Sequence, residues 1–222
     1  MNEMYTIAFI IEIVILFFLS RSVYQKFFRL FQSISKSKKV SLYLTSILFL
    51  PGTFIHELAH TLAAILLFVP VSKFNLKPEY DEKSVKLGSV SIVKTDPVRS
   101  FIVSSAPLLF GLIIILSISY LLLVNRSINN YWEYLLAGYL IFQVGNSMFL
   151  SRNDLKGMWI FAVLVILIIV LFNYLDVRLS ISDQSIVNAL LKNASLYLLV
   201  PVSIDFMVLL LFRFITVSRK PR

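Results

Sequence analysis

Apolar runs fill residues 5 to 20, 40 to 70, 100 to 124, 132 to 150, 158 to 175 and 195 to 217. Most lie near the roughly 20 residues a helix needs to cross a bilayer. The pattern predicts an all-α polytopic membrane protein of about six hydrophobic segments. The second run is too long for a plain span: its 30 or so residues would make a helix about 45 Å long against about 30 Å of hydrocarbon. Pro51-Gly52 supplies a place to break it, because proline removes a backbone donor and glycine tolerates a turn. A single crossing by this run divides the lysines and arginines nearly evenly between the two sides, whereas a re-entrant run gathers most of them on one. The positive-inside rule then favours a re-entrant segment, the N-terminus outside and the C-terminus in the cytoplasm.

Two polar stretches interrupt the pattern. In residues 21 to 39, Arg21, Lys26, Arg29, Lys36, Lys38 and Lys39 are interspersed with Phe27, Phe28, Leu30 and Phe31, which suits an interfacial helix on anionic lipid. In residues 71 to 99, KLGSVSIVK (86 to 94) alternates as a strand does. KFNLK (73 to 77) is placed to pair with it across an acidic turn at Glu79, Asp81 and Glu82, giving a small β-hairpin. Lys94 and Arg99 at its exit are expected to meet headgroups. The chain divides into an N-terminal span with its basic linker (1–39), a core (40–160) and C-terminal spans with a basic tail (161–222).

Composition removes several function classes. At 58% hydrophobic residues and 14% aromatic ones, no large soluble domain fits. The net charge of +9 therefore belongs beside lipid headgroups rather than on nucleic acid. Without cysteine, any metal must be held by His, Asp or Glu. The start lacks a basic n-region and an A-x-A-like site, so residues 5 to 20 read as a retained span. Richness in Lys, Ile, Asn and Ser suggests a prokaryotic cell membrane as the location.

The chemistry concentrates in PGTFIHELAHTL (51 to 62), which holds both histidines of the chain. His56 and His60 are four apart, so a helix projects both imidazoles from one face toward a single ion, with Glu57 beside them to deprotonate a bound water. Zn²⁺ suits nitrogen and oxygen ligands without redox demand. The bland alternative is a pair of interfacial histidines with a helix-end carboxylate. A catalytic zinc usually has three protein ligands, so a carboxylate must join; Glu12, Asp96, Glu133, Asp154, Asp176 and Asp205 all border or lie within apolar runs. Glu12 and Asp205, near the middle of spans, are expected to bond to a neighbouring helix or to line a wet path.

PGTFIHELAHTLAAILLF, the hairpin-like insert and SSAPLLFGL (104 to 112) together resemble the site-2 protease family of intramembrane zinc metalloproteases. A later span of that family carries Asn and, eight residues on, a metal-binding Asp, in a pattern like N-x-x-P-x-P-x-L-D-G. GNSMFLSRNDLKG places Asn146 and Asp154 at that spacing, although the prolines are absent, Asn153 stands before the Asp and the glycine arrives at Gly157. The resemblance, over residues 45 to 160, implies that Asp154 is the third ligand and that Asn146 stabilises an oxyanion. Otherwise Asp154 is a loop or helix-capping aspartate and Asn146 is interhelical glue. The function expected is a zinc metallopeptidase cutting a membrane protein or membrane-proximal peptide, with Glu57 as general base. The alternatives are a membrane-anchored protease of soluble or misfolded segments, and a scaffold or transport protein with a structural zinc site.

Overall fold

The computed structural model describes residues 2–76, 79–81, 84–86, 88–93, 95–125, 130–149, 167 and 184–217. Helices α1 (Asn2–Ser35), α2 (Lys38–Leu48) and α3 (Leu50–Leu66) precede the short strands β1 (Val71–Asn75), β2 (Glu79–Asp81), β3 (Ser84–Lys86) and β4 (Ser89–Ile92). Then follow α4 (Pro97–Tyr120), α5 (Tyr131–Ser147) and α6 (Gln184–Val217). Among the described residues three helices are long and apolar enough to cross a membrane: α1, α4 with the π-helical turn that continues it, and α6. The pair α2 and α3 makes a fourth if it is one broken span. The described residues thus give three or four candidate crossings where the hydrophobic pattern predicts about six. The run at 132 to 150 becomes a helix of only 17 residues, and the run at 158 to 175 lies, but for Leu167, outside the described residues.

The start of the chain also departs from expectation. Instead of a span followed by a separate interfacial helix, α1 continues as one helix of 34 residues, about 51 Å at 1.5 Å per residue. No glycine or proline occurs within it, and charge alone does not break a helix. The Arg21 guanidinium folds over the Phe17 ring at 4.4 Å, a cation–π contact that lets the charged head lie on an apolar helix.

A bend of 71° separates α2 from α3. It falls at Phe49, just ahead of Pro51, which occupies the first turn of α3, where a missing N–H costs nothing. Phe49 is buried there among Tyr24, Phe27 and Phe142, with ring centroids 5.8 to 5.9 Å away. At its other end α3 closes with a Schellman pair: the Phe68 N–H bonds to Ile65 O at 3.0 Å and the Val69 N–H to Ala64 O at 2.8 Å. Phe68 takes the left-handed conformation this needs, φ 56°, and Pro70 follows to prevent resumption.

Packing sets α3 against both α4 and α5, while α1 lies along α6 and touches α2. Between α3 and α4 the buried residues are small (Ala59, Ala63, Ala64, Val103 and Ala106), so the two backbones approach closely. A bulkier cluster of Leu16, Ile115, Val144, Met148, Phe149 and Leu198 joins α1, α4, α5 and α6. The strands form nested antiparallel pairs, β1 with β4 and β2 with β3, the connectivity of one long hairpin. The expected pairing is present in coarse form, but its register sets Phe74 opposite Val90 and Asn75 opposite Ser89. Glu79 and Asp81, expected in a turn, are in β2 opposite Lys86 and Ser84.

Candidate metal centre

The stretch around HELAH is helical because Leu58, Ala59, Leu62, Ala63 and Ala64 are strong helix formers and the only breakers stand in the first turn. His56, Glu57 and His60 are all buried, at 3%, 5% and 9% exposure, although all three are polar and a glutamate is almost never fully buried unless paired. The imidazoles meet edge to face, with centroids 4.9 Å apart and planes at 86°. One helical turn therefore brings both rings together, as their spacing predicts.

The His60 ring is oriented by α4. Its Nδ1 lies 2.8 Å from the carbonyl oxygen of Val103. A carbonyl only accepts, so Nδ1 carries the proton and, in the neutral ring, Nε2 carries the lone pair. Metal-ligating histidines are commonly held in this way, by a backbone carbonyl on the other nitrogen. The hairpin approaches from another side. A Cβ built on Gly88 would stand 3.1 Å from Glu57 Oε1 and 3.0 Å from Thr53 Cγ2, and Phe74 of β1 meets Phe54 of α3 edge to face at 6.3 Å. Gly88 thus lets the hairpin backbone lie directly over the Glu57 turn.

The remaining candidates are distributed elsewhere. Asp154 and Asp176 lie outside the described residues. Asp96 is the N-cap of α4, its Oδ1 accepting from the amides of Val98 (3.1 Å) and Arg99 (3.0 Å). Arg99, expected to meet headgroups, ion-pairs with it at 3.3 Å; Lys94 lies outside the described residues. Glu133 accepts from Asn130 in the first turn of α5. Glu12 accepts from Ser195 of α6 at 2.8 Å. Asp205 accepts from Asn146 Nδ2 at 2.7 Å. The interhelical bonds expected of Glu12 and Asp205 are therefore present. Among the described residues no three His, Cys, Asp or Glu side chains converge to hold an ion.

Asn146 has two Nδ2 hydrogens, and both are engaged, one by Asp205 and the other by Phe142 O at 2.9 Å. An oxyanion role would require one of these bonds to be given up. Sequence reasoning also overlooked Gln143, fully buried on α5. Its Nε2 donates to Leu48 O at 2.8 Å, and its Oε1 accepts from the Gly52 N–H at a long 3.4 Å. The signal available was a glutamine in an otherwise apolar span, which at bilayer depth must find partners. Comparisons with protein-family models, curated proteins and solved structures gave no match for this chain.

Proposed function

We propose that the chain is a membrane-embedded zinc metallopeptidase acting on peptide bonds within or beside the bilayer. One observation carries the reading: two buried imidazoles meet on one face of a helix, and one of them is held by a carbonyl in the tautomer whose Nε2 carries the lone pair. A pair of interfacial histidines has no need of that bond or of that burial. His56 and His60 would supply two nitrogen ligands and Asp154 the carboxylate. Phe149 belongs to the cluster on which Ile55 packs, and the five residues from there to Asp154 span at most about 18 Å when extended. Zinc bound there would acidify a water and polarise the scissile carbonyl. Glu57, beside His56 and under the hairpin, would take the proton and return it to the leaving amine.

The test uses the full chain in lipid nanodiscs. Replacing His56, His60 or Asp154 by Ala should remove stoichiometric zinc. Glu57→Gln should keep zinc while lowering turnover of reconstituted single-span peptides by a factor of a thousand or more, on the order expected when a nucleophile's activating base is lost. Full activity of the Glu57→Gln protein, or zinc retained when both histidines are gone, would end this assignment.

A further inference from the structure

The bond that orients His60 depends on an oddity in α4. In an uninterrupted helix the N–H of residue 107 would bond to the carbonyl of residue 103. Residue 107 is Pro107, buried inside α4, and it has no N–H to give. Val103 O is therefore deprived of its helical partner, and it is this carbonyl that receives Nδ1–H of His60. A carbonyl so exposed at bilayer depth is costly without a donor. Val103 is 3% exposed and packed among the alanines of the α3–α4 contact, and the donor comes across that contact from α3.

We propose that Pro107 is a positioning residue for the metal helix. By withholding one backbone N–H, it keeps Val103 O as an acceptor that fixes His60 as the Nδ1–H tautomer and aims Nε2 at the ion. The clause about the ion rests on the metallopeptidase reading; the tautomer does not. The competing explanation gives Pro107 only a kink in α4, a common effect of proline in helices. The two differ in what they demand of residue 107. A kink needs the ring, whereas the positioning role needs only the missing N–H.

That difference defines the experiment. The chain has only two histidines, so metal-free, ¹⁵N-histidine-labelled protein in nanodiscs gives two ring systems, assigned with a His56→Gln variant. His60 should appear as the Nδ1–H tautomer in the unsubstituted chain. In Pro107→Ala a restored N–H competes for Val103 O. His60 should then shift toward the tautomer mixture of a solvated histidine, and the zinc Kd should rise on the order of tenfold, the low end for loss of a ligand's supporting partner. Alanine is the better helix former, so weaker zinc binding at an equal or higher unfolding temperature is not a damaged fold. An α-hydroxy acid (lactate) at position 107, which lacks both N–H and ring, should restore the original tautomer and affinity. Identical His60 spectra for the unsubstituted and Pro107→Ala proteins would overturn the proposal, as would a lactate variant that behaves like alanine. A tautomer shift in a chain that binds no zinc would sustain Pro107's hold on His60 and overturn the metallopeptidase reading alone.

Discussion

Among the places where this bundle loses a rung of the helical ladder beside a proline, two are repaired in opposite ways. At the α2–α3 bend the carbonyl of Leu48 and the N–H of Gly52, which an unbroken helix would join, are pulled apart. The Gln143 carboxamide stands between them, donating to one and accepting from the other. In α4 the rung from Val103 loses only its donor, because Pro107 never had one. A carboxamide has both a donor and an acceptor and so suits a rung with two orphaned ends. A lone carbonyl calls for a donor, and an imidazole N–H provides one. The first repair joins two backbone ends through one side chain; the second fixes the tautomer of a ring.

The comparison is broken most severely at Gln143. Gln143→Met keeps the volume and removes both bonds, stranding Leu48 O and the Gly52 N–H in a buried region. At roughly 1–2 kcal/mol for each unpaired group, the loss is about 2–4 kcal/mol, read as a lowered unfolding temperature in detergent. The bend should also loosen. With no native cysteine, spin labels on cysteines at the exposed positions Ile47 and Ile65 can report it as a broader distance distribution. If stability and distances both match the unsubstituted chain, the inserted carboxamide is incidental.

Gly52→Ala attacks the same joint from the other side. A Cβ there would stand 2.3 Å from the backbone oxygen of Gln143 and 2.9 Å from Ser147 Cβ. A backbone oxygen in the middle of α5 cannot rotate away, so α3 and α5 must separate. Overpacking of this kind costs about 1–3 kcal/mol. Because α3 carries His56 one turn further on, zinc binding should weaken together with stability. In Pro107→Ala the two should part company, and that contrast separates a packing joint from an orienting one.

How much of this was legible beforehand varies with the range of the interaction. His56 and His60 on one face follow from local periodicity, and the break at Pro51-Gly52 follows from two residue types. The hairpin was legible as alternation, but its register was not: the acidic residues placed in a turn are partly strand, since local polarity does not fix which residues pair. Charge misled at the start of the chain, where Arg21 and Lys26 marked an apparent boundary that the helix simply crosses. Least legible were the long-range polar pairs, Glu12 with Ser195 and Asn146 with Asp205. Each residue needs a partner at bilayer depth, but nothing local in the sequence names which one. Gln143 and Pro107 belong with these: each looks like a mere exception within an apolar run until the neighbouring helix is in place.

The smallest effect belongs to a third repair, at the start of α4, where the filler is exposed and able to titrate. Asp96 accepts from Val98 and Arg99, and the Arg99 amide first, then its guanidinium, hold the Asp96 carboxyl below the usual aspartate range. A carboxyl lowered on folding stabilises the folded form above its ordinary value of about 4; that contribution fades as pH falls through the lowered value. Near neutrality the cap is therefore complete, and below about pH 4 the first turn of α4 should fray. Asn caps nearly as well as Asp and does not titrate, so Asp96→Asn should remove the pH dependence. The measurement is the ratio of amide exchange at Val98 and Arg99 between the two proteins at the same pH, expected near one at neutrality and rising in acid. The His60 bond to Val103, farther along α4 and buried, should be indifferent to the substitution. If Asp96→Asn instead disturbs the His60 tautomer, then the cap and the Val103 carbonyl act as one unit, and structural and orienting repairs are not separate in α4.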